Sequence, residues 1–414
     1  MKELGGLGKG STPGPPTRAD WQELDRLGDL CGEYVRRHPQ AFSRSKGCQE
    51  AALRRLLATP GDEYATSRGA MVGAHVDKIA LPTCGEKFDV GEFLPEFRDW
   101  ENVMLAPEEE RREYMEHVND VKAYADPKFR RPGSKDLLRL AVRLYKAGLV
   151  KPVKKRGPIG VTLFTVVKSD GVQRLIFDMR RANGFFRRPK GCVLGSGAAL
   201  AALDLSEGAI GLDDVRAAAG DLPNFFYTLT LGESFGSWVW LEGLDVRAFA
   251  AALVAEGLLG SEEAAAWGDA YDAVGFTCLP MGFAWAPLVA QRVLEGLLAA
   301  AGEAEEAQMR HGHPAPAVSR EAGPNMSYID DFLLVARAPR HHQGADGVGA
   351  EEQARERLAS VRGTLHKAGL GCHKEQAGAV LTILGFEADF RDKVCRPRPE
   401  KLVELVRATR ALLG

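Results

Sequence analysis

Disulfide frameworks, membrane spans and secretory leaders are not expected from this sequence. Seven cysteines (Cys31, Cys48, Cys84, Cys192, Cys278, Cys372, Cys395) are scattered through 414 residues with no Cys-x-x-Cys pair. That usage fits reduced thiols in an intracellular protein, cytoplasmic or nuclear. No apolar run reaches the roughly 20 residues needed to cross a bilayer, so no membrane partner is expected. Residues 1–16 are rich in Gly and Pro and lack the apolar core of a signal peptide. No internal repeat is present. A net charge of only −2 argues against a globally basic nucleic-acid binder.

What charge there is lies unevenly. Between Val121 and Lys190 there are 19 Lys and Arg against 4 Asp and Glu, an excess of 19 − 4 = +15 that leaves −17 for the remainder. Such an excess is the footprint expected for a phosphate backbone or a triphosphate, with a solvated face as the plainer reading. With 45% hydrophobic and 27% charged residues the chain can bury a full core, in two or three domains or subdomains.

Taken in order, residues 1–19 read as a disordered tail. Asp20 caps an expected helix carrying Trp21, Leu24, Leu27, Cys31 and Tyr34, and a second helix covers 49–58. A charged helical stretch runs from Pro107 to Tyr124, and Ser134 caps a helix striped by Leu137, Leu138, Ala141, Leu144 and Tyr145. A hairpin follows: Val161–Lys168, a Ser-Asp-Gly turn, and Gln173–Arg180. Alternation places Arg174, Asp178 and Arg180 with Ile176 on one face, and bidentate guanidinium contacts suit a triphosphate. Paired surface charges, such as Arg180 with Asp178, would give the same pattern.

Downstream, 190–215 reads as a Gly/Ala-rich connection. Asp221 ends a small-residue segment, with Pro223 suited to a first helical turn, so Asp221 alone could be an N-cap. Ser237–Leu241 reads as a strand, Asp245–Leu259 and Glu262–Ala270 as helices. A strand from Phe276 runs into a turn at Gly282, which suggests close backbone approach, then a helix to Ala301. His311, His313, His341 and His342 sit in polar loops without a carboxylate or cysteine frame at zinc spacing. A long helix spans 350–368, ended by Gly369-Leu370-Gly371. A strand from Val380 turns at Gly385, and a last helix covers 399–413.

Between two of these segments, Met326-Ser-Tyr-Ile-Asp330-Asp331-Phe-Leu-Leu-Val-Ala336 sets two acids between apolar runs. Burying such a pair costs several kcal/mol unless a cation meets it. A tight turn at Ile329-Asp330 would present the acids at the rim of a sheet, facing a metal ion. An ordinary hairpin turn also accommodates Asp.

In sequence order stand the Lys168/Arg174 hairpin, Asp221 followed by Phe226, Leu279-Pro-Met281-Gly282, Tyr328-Ile-Asp330-Asp331, Gly369-Leu370 with Lys374, and Leu384-Gly385. This series resembles the fingers and palm of retroelement-type reverse transcriptases over residues 126–390. The resemblance implies an α+β fold: a right-hand polymerase with a small antiparallel palm sheet backed by helices, plus a helical N-terminal region. It divides the chain into 20–125 of unknown role, 126–215 fingers-like, 216–395 palm-like, and 396–414 as the start of a truncated thumb or connecting helix. It implies RNA-directed DNA synthesis with dNTPs on an RNA or DNA template-primer and two Mg²⁺, with Mn²⁺ as substitute. Asp221, the backbone carbonyl of Leu222, Asp330 and Asp331 match the metal ligands. Lys374 matches a general acid toward pyrophosphate. Lys168 and Arg174 match the triphosphate pair, Phe226 the side chain beneath the sugar, and Met281, Gly282 and Tyr328 the remaining nucleotide-site positions. Leu384-Gly385 resembles the start of a primer grip. Met281 departs from the Gln of retroviral members, and Ala284 and Ala286 stand where many members carry Ser. The alternative is a catalytically inactive remnant that only binds nucleic acid.

Overall fold

The apolar stripe after Ser134 folds as read. In the computed structural model, helix α1 (Lys135–Lys146) is capped by Ser134, whose Oγ accepts from Leu137 N at 3.2 Å. It buries Leu137, Leu140, Ala141 and Leu144. The structure describes residues 74–81, 87–123, 125–131, 133–167, 173–340 and 349–398. All but the last two of these belong to one compact unit, Ser67–Arg396. The tail, the helices expected over 20–58, Lys168, His341, His342 and the helix over 399–413 lie outside the described residues. The charged stretch after Pro107 is helical over Glu108–His117.

The architecture is α+β with several small sheets. After α1, strand β1 (Val150–Val153) is followed by the hairpin β2 (Thr162–Val167) and β3 (Gln173–Asp178), paired antiparallel from Thr162↔Asp178 to Val167↔Gln173. Here the two-faced reading needs correction. Ile176 and Asp178 are buried, so both faces of β3 are covered and Arg174 is its one exposed cation. Arg180 lies beyond the strand, in the helix Arg180–Asn183, and its guanidinium meets the Asp178 carboxylate at 2.6 and 2.8 Å.

The small-residue segment is itself a strand, β4 (Asp214–Asp221). Helices α2 (Val246–Ala255) and α3 (Ser261–Ala270) follow, then β5 (Ala273–Phe276), which pairs antiparallel with β1. The strand thus ends at Phe276, where the sequence suggested it would begin. Ser237–Leu241 is not a strand: Phe235–Trp238 is one helical turn, closed by Val239 N to Phe235 O at 3.1 Å. Burial of Phe235 and Trp238 overrides the β propensity of this aromatic stretch. Helix α4 (Ala286–Ala300) leads to β6 (Asn325–Tyr328) and β7 (Asp331–Ala338), then to α5 (Ala350–Lys367), β8 (His373–Gly378), β9 (Val380–Ile383) and β10 (Phe386–Asp389).

The central sheet has the order β8-β4-β7-β6, all antiparallel. Its two faces serve two cores. Ala218, Phe332, Leu334 and Ala336 join Ala354, Leu358, Val361 and Leu365 of α5 in the larger core. Ala217, Ala219, Leu333 and Val335 join Leu381, Ile383, Ala388 and Phe390 in the smaller one. A strand covered on both faces cannot show polar–apolar alternation. Small side chains on β4 let both layers come close, and Gly220 has Cys372 Sγ and the Phe332 ring where a Cβ would point, at 2.8 Å each. Among the described residues no helix is long and apolar enough to cross a membrane.

Ala218→Leu should therefore overfill the space under α5 and destabilise the fold by about 1–3 kcal/mol, read as a lower urea midpoint with unchanged m-value.

Candidate active site

The turn joining β6 to β7 is where the sequence places it, and it is strained. Ile329 has φ 60°, in the left-handed region that a β-branched residue rarely enters, at a cost of about 1–3 kcal/mol. Hydrogen bonds hold it there. Ile329 N–H donates to Gln291 Oε1 at 2.8 Å. The Gln291 amide donates in turn to Ser327 Oγ at 2.7 Å and to Glu295 Oε1 at 3.0 Å. Gln308 also donates to Ser327 Oγ. Gln291 and Ser327 are 1% and 0% exposed, so this is a buried network with paired groups. On the other side, Leu222 N–H donates to the Asp330 carbonyl at 2.8 Å, tying the turn to the end of β4.

Three acids converge at this end of the sheet. Asp221 ends β4, Asp331 opens β7, and the two are direct cross-strand partners. Asp330 occupies the turn between Ile329 and Asp331. Burial pushes the Asp331 carboxyl up to about 6, with Asp330 and Asp221 adding repulsion and Lys374 opposing it. Asp330 is raised chiefly by burial and further by Asp221, while Lys374 and Arg174 pull it down. The three carboxylates, Lys374 and Arg174 therefore share one electrostatic neighbourhood. Asp221 is not a helix cap. The chain leaves it through Asn224, at φ 55°, before the one-turn helix Phe225–Thr228.

Lys374 meets the acids directly. It lies at an irregularity in the pairing of β8 with β4, between His373 and Gln376, and has φ 48°. Its Nζ donates to Asp221 Oδ2 at 2.6 Å, with side-chain exposures of 77% for Lys374 and 13% for Asp221. Its own pKa is raised, mainly by this hydrogen bond. The other oxygen, Asp221 Oδ1, is buried with no hydrogen-bond partner among the described residues.

The remaining candidates fall around this cluster. Arg174 is exposed on β3 and forms no hydrogen bond or ion pair among the described residues. Phe226 is half-buried between Phe225 and Tyr227, and Tyr227 packs on Phe177 of β3 at 6.1 Å between ring centroids. Leu222 is buried, and Tyr328 is half-buried opposite Asp331. Gly282, at φ 114°, leaves no room for a Cβ, which would lie 2.4 Å from the Phe177 carbonyl. Asn183 clamps this turn, donating to Gly282 O at 2.9 Å and accepting from Ala284 N at 3.0 Å. The close approach at Gly282 is thus to the protein's own backbone. Met281 packs against the larger core, and among the described residues no hydrogen bond joins it or Gly282 to the acids. His311 Nδ1 lies 3.0 Å from Ser196 Oγ, and both His311 and His313 are exposed.

Among the described residues no three Asp, Glu, His or Cys side chains form a ready-made metal cage. The donor chemistry nevertheless suits a hard divalent cation: carboxylate oxygens without nitrogen or sulfur, one of them buried and unpartnered. Sequence reasoning missed Gln291 and Ser327. The available signal was a Gln between Val289, Ala290, Val293 and Leu294, the apolar positions of α4.

No family model matches this sequence, and no curated protein does. Among solved structures, a foamy viral protease–reverse transcriptase in complex with double-stranded DNA aligns at 14% identity and TM-score 0.39, over 74% of this chain and 47% of that one. A mutant of the prototype foamy virus protease–reverse transcriptase aligns at 17% identity and TM-score 0.38, over 84% of this chain and 35% of that one. Likeness at this level assigns neither family nor activity, and the chain spans less than half of either structure.

Gln291→Leu should leave the Ile329 N–H and Ser327 hydroxyl buried without this partner and cost about 2–4 kcal/mol of stability, read by urea denaturation. Asp331 has its own pH signature. Its carboxyl is raised from 3.8 to about 6, so the folded state holds the proton more tightly and ionisation weakens the fold as pH rises through that window. Without divalent cations, Asp331→Asn should melt above wild type by about 2–4 °C at pH 8, with no gain at pH 3.5.

Proposed function

We propose that this chain is an RNA-directed DNA polymerase of the reverse-transcriptase type. The observation that carries this reading is the meeting of Asp221, Asp330 and Asp331 with Lys374 and Arg174 at one end of the antiparallel sheet. In this reading residues 126–215 are the fingers and 216–395 the palm. The substrates are a dNTP and the 3′-OH of a primer on an RNA or DNA template.

Asp221 and Asp330, with the Leu222 carbonyl, are the residues that would hold two Mg²⁺, and Asp331 supports them. Bound there, the ions supply an acidified 3′-OH and charge neutralisation at the phosphates. Arg174 is exposed and forms no ion pair among the described residues, and in this reading it grips the triphosphate with a planar fork. Lys168 joins it in this reading, although it lies outside the described residues. Phe226 presents a half-buried ring beneath the sugar, where it excludes a 2′-OH. Lys374 gives a proton to the departing pyrophosphate. The raised carboxyls of Asp330 and Asp331 favour a site that works best once cationic charge offsets their repulsion.

Primer extension on an RNA template with Mg²⁺ tests the reading. Asp330→Ala should lower incorporation by a factor of about a hundred or more. Incorporation equal to wild type would refute the assignment. Phe226→Ala should raise rNTP use relative to dNTP by about tenfold. An unchanged preference removes Phe226 from sugar selection.

A further inference from the structure

Asp221 is held on one side only. Its Oδ2 accepts from Lys374 Nζ at 2.6 Å, while its Oδ1 is buried without a hydrogen-bond partner among the described residues. A single ammonium satisfies only one of the two carboxylate oxygens. The same ammonium also lowers the charge that Asp330 and Asp331 feel. Lys374 is therefore already acting as the cation of this cluster. It can also leave easily, because its side chain is 77% exposed and an ion pair open to solvent is weak. Its backbone is set for this position, with φ 48° at the break in the β8–β4 pairing.

We propose that Lys374 is a built-in competitor for the divalent cation at Asp221, displaced when the ion enters. This inference deepens the function proposed above and rests on it. Lys374 protects the acids from mutual repulsion while the site is free of metal. Once Asp221 is taken by the ion, the ammonium is released toward the phosphates. Cation loading and positioning of the proton donor thereby become one event.

The test is Mn²⁺ binding to the full chain without nucleotide, followed by the electron paramagnetic resonance signal of free Mn²⁺. Lys374→Met should bind Mn²⁺ about tenfold more tightly than wild type, yet extend primers more slowly. Lys374→Arg, which keeps a cation beside Asp221, should stay near the wild-type Kd. Circular dichroism checks that each variant is folded. Equal Kd values in wild type and Lys374→Met, both abolished by Asp330→Ala, would overturn the competition and leave the polymerase reading standing. No Mn²⁺ binding by either protein would overturn both.

Discussion

Like charges brought together at the half-buried end of a sheet repel one another, and that repulsion governs the centre of this molecule. Asp221, Asp330 and Asp331 are each partly withdrawn from water, and Asp331 is pushed up to about 6 by burial and by its two neighbours. Such a cluster persists only if the backbone beneath it is fixed and a counter-charge stands close. Both conditions are met. Leu222 N–H and the Gln291 amide hold the turn from its two sides, and Lys374 supplies the counter-charge. The strain at Ile329 has the same origin: a residue at φ 60° aims the two acids while Met326 and Phe332 stay buried in the flanking strands.

Rigidity beneath the cluster comes from size rather than polarity. The run Ala217-Ala218-Ala219-Gly220 is covered on both faces, by α5 on one side and by the β9–β10 hairpin side on the other. Arg357, in the middle of α5, adds a second brace. Its guanidinium binds the Glu303 carboxylate and the carbonyls of Gly323 and Val335, fixing helix against sheet. With no slack on either face, the positions of Asp221 and Asp331 follow from packing several residues away.

The features set by local chemistry could be read before the fold was known. Apolar runs flanking Asp330 and Asp331 announced two strands and a tight turn, and Ser134, Asp245 and Gly369 marked helix ends where helices end. The acids and Lys374 were singled out through the order of motifs; Asp221 and Asp331 are cross-strand partners, and Lys374 donates to Asp221. What escaped depends on tertiary burial. β4 carries three alanines and a glycine with little strand propensity of their own, so its end read as a small-residue segment before Asp221 rather than as a strand. Ile176 looked like part of a polar face, yet it and Asp178 are both buried. Gln291 looked incidental on an apolar helix, since its partners Ser327 and Ile329 come 36 and 38 residues later. The pairing of Lys374 with Asp221 spans 153 residues and depends on one left-handed backbone position.

The Asn183 clamp on the Gly282 turn has a mechanical consequence. Asn183 ends the one-turn helix that follows β3, the strand bearing Arg174, and its amide grips both Gly282 and Ala284. α4 begins two residues after Ala284 and carries Gln291, which holds the Asp330 turn. The strand bearing Arg174 and the turn bearing the acids are thus joined in series through the helix Arg180–Asn183, the Gly282 turn and α4. A displacement of β3 would therefore be carried toward the acid-bearing turn along this run of contacts.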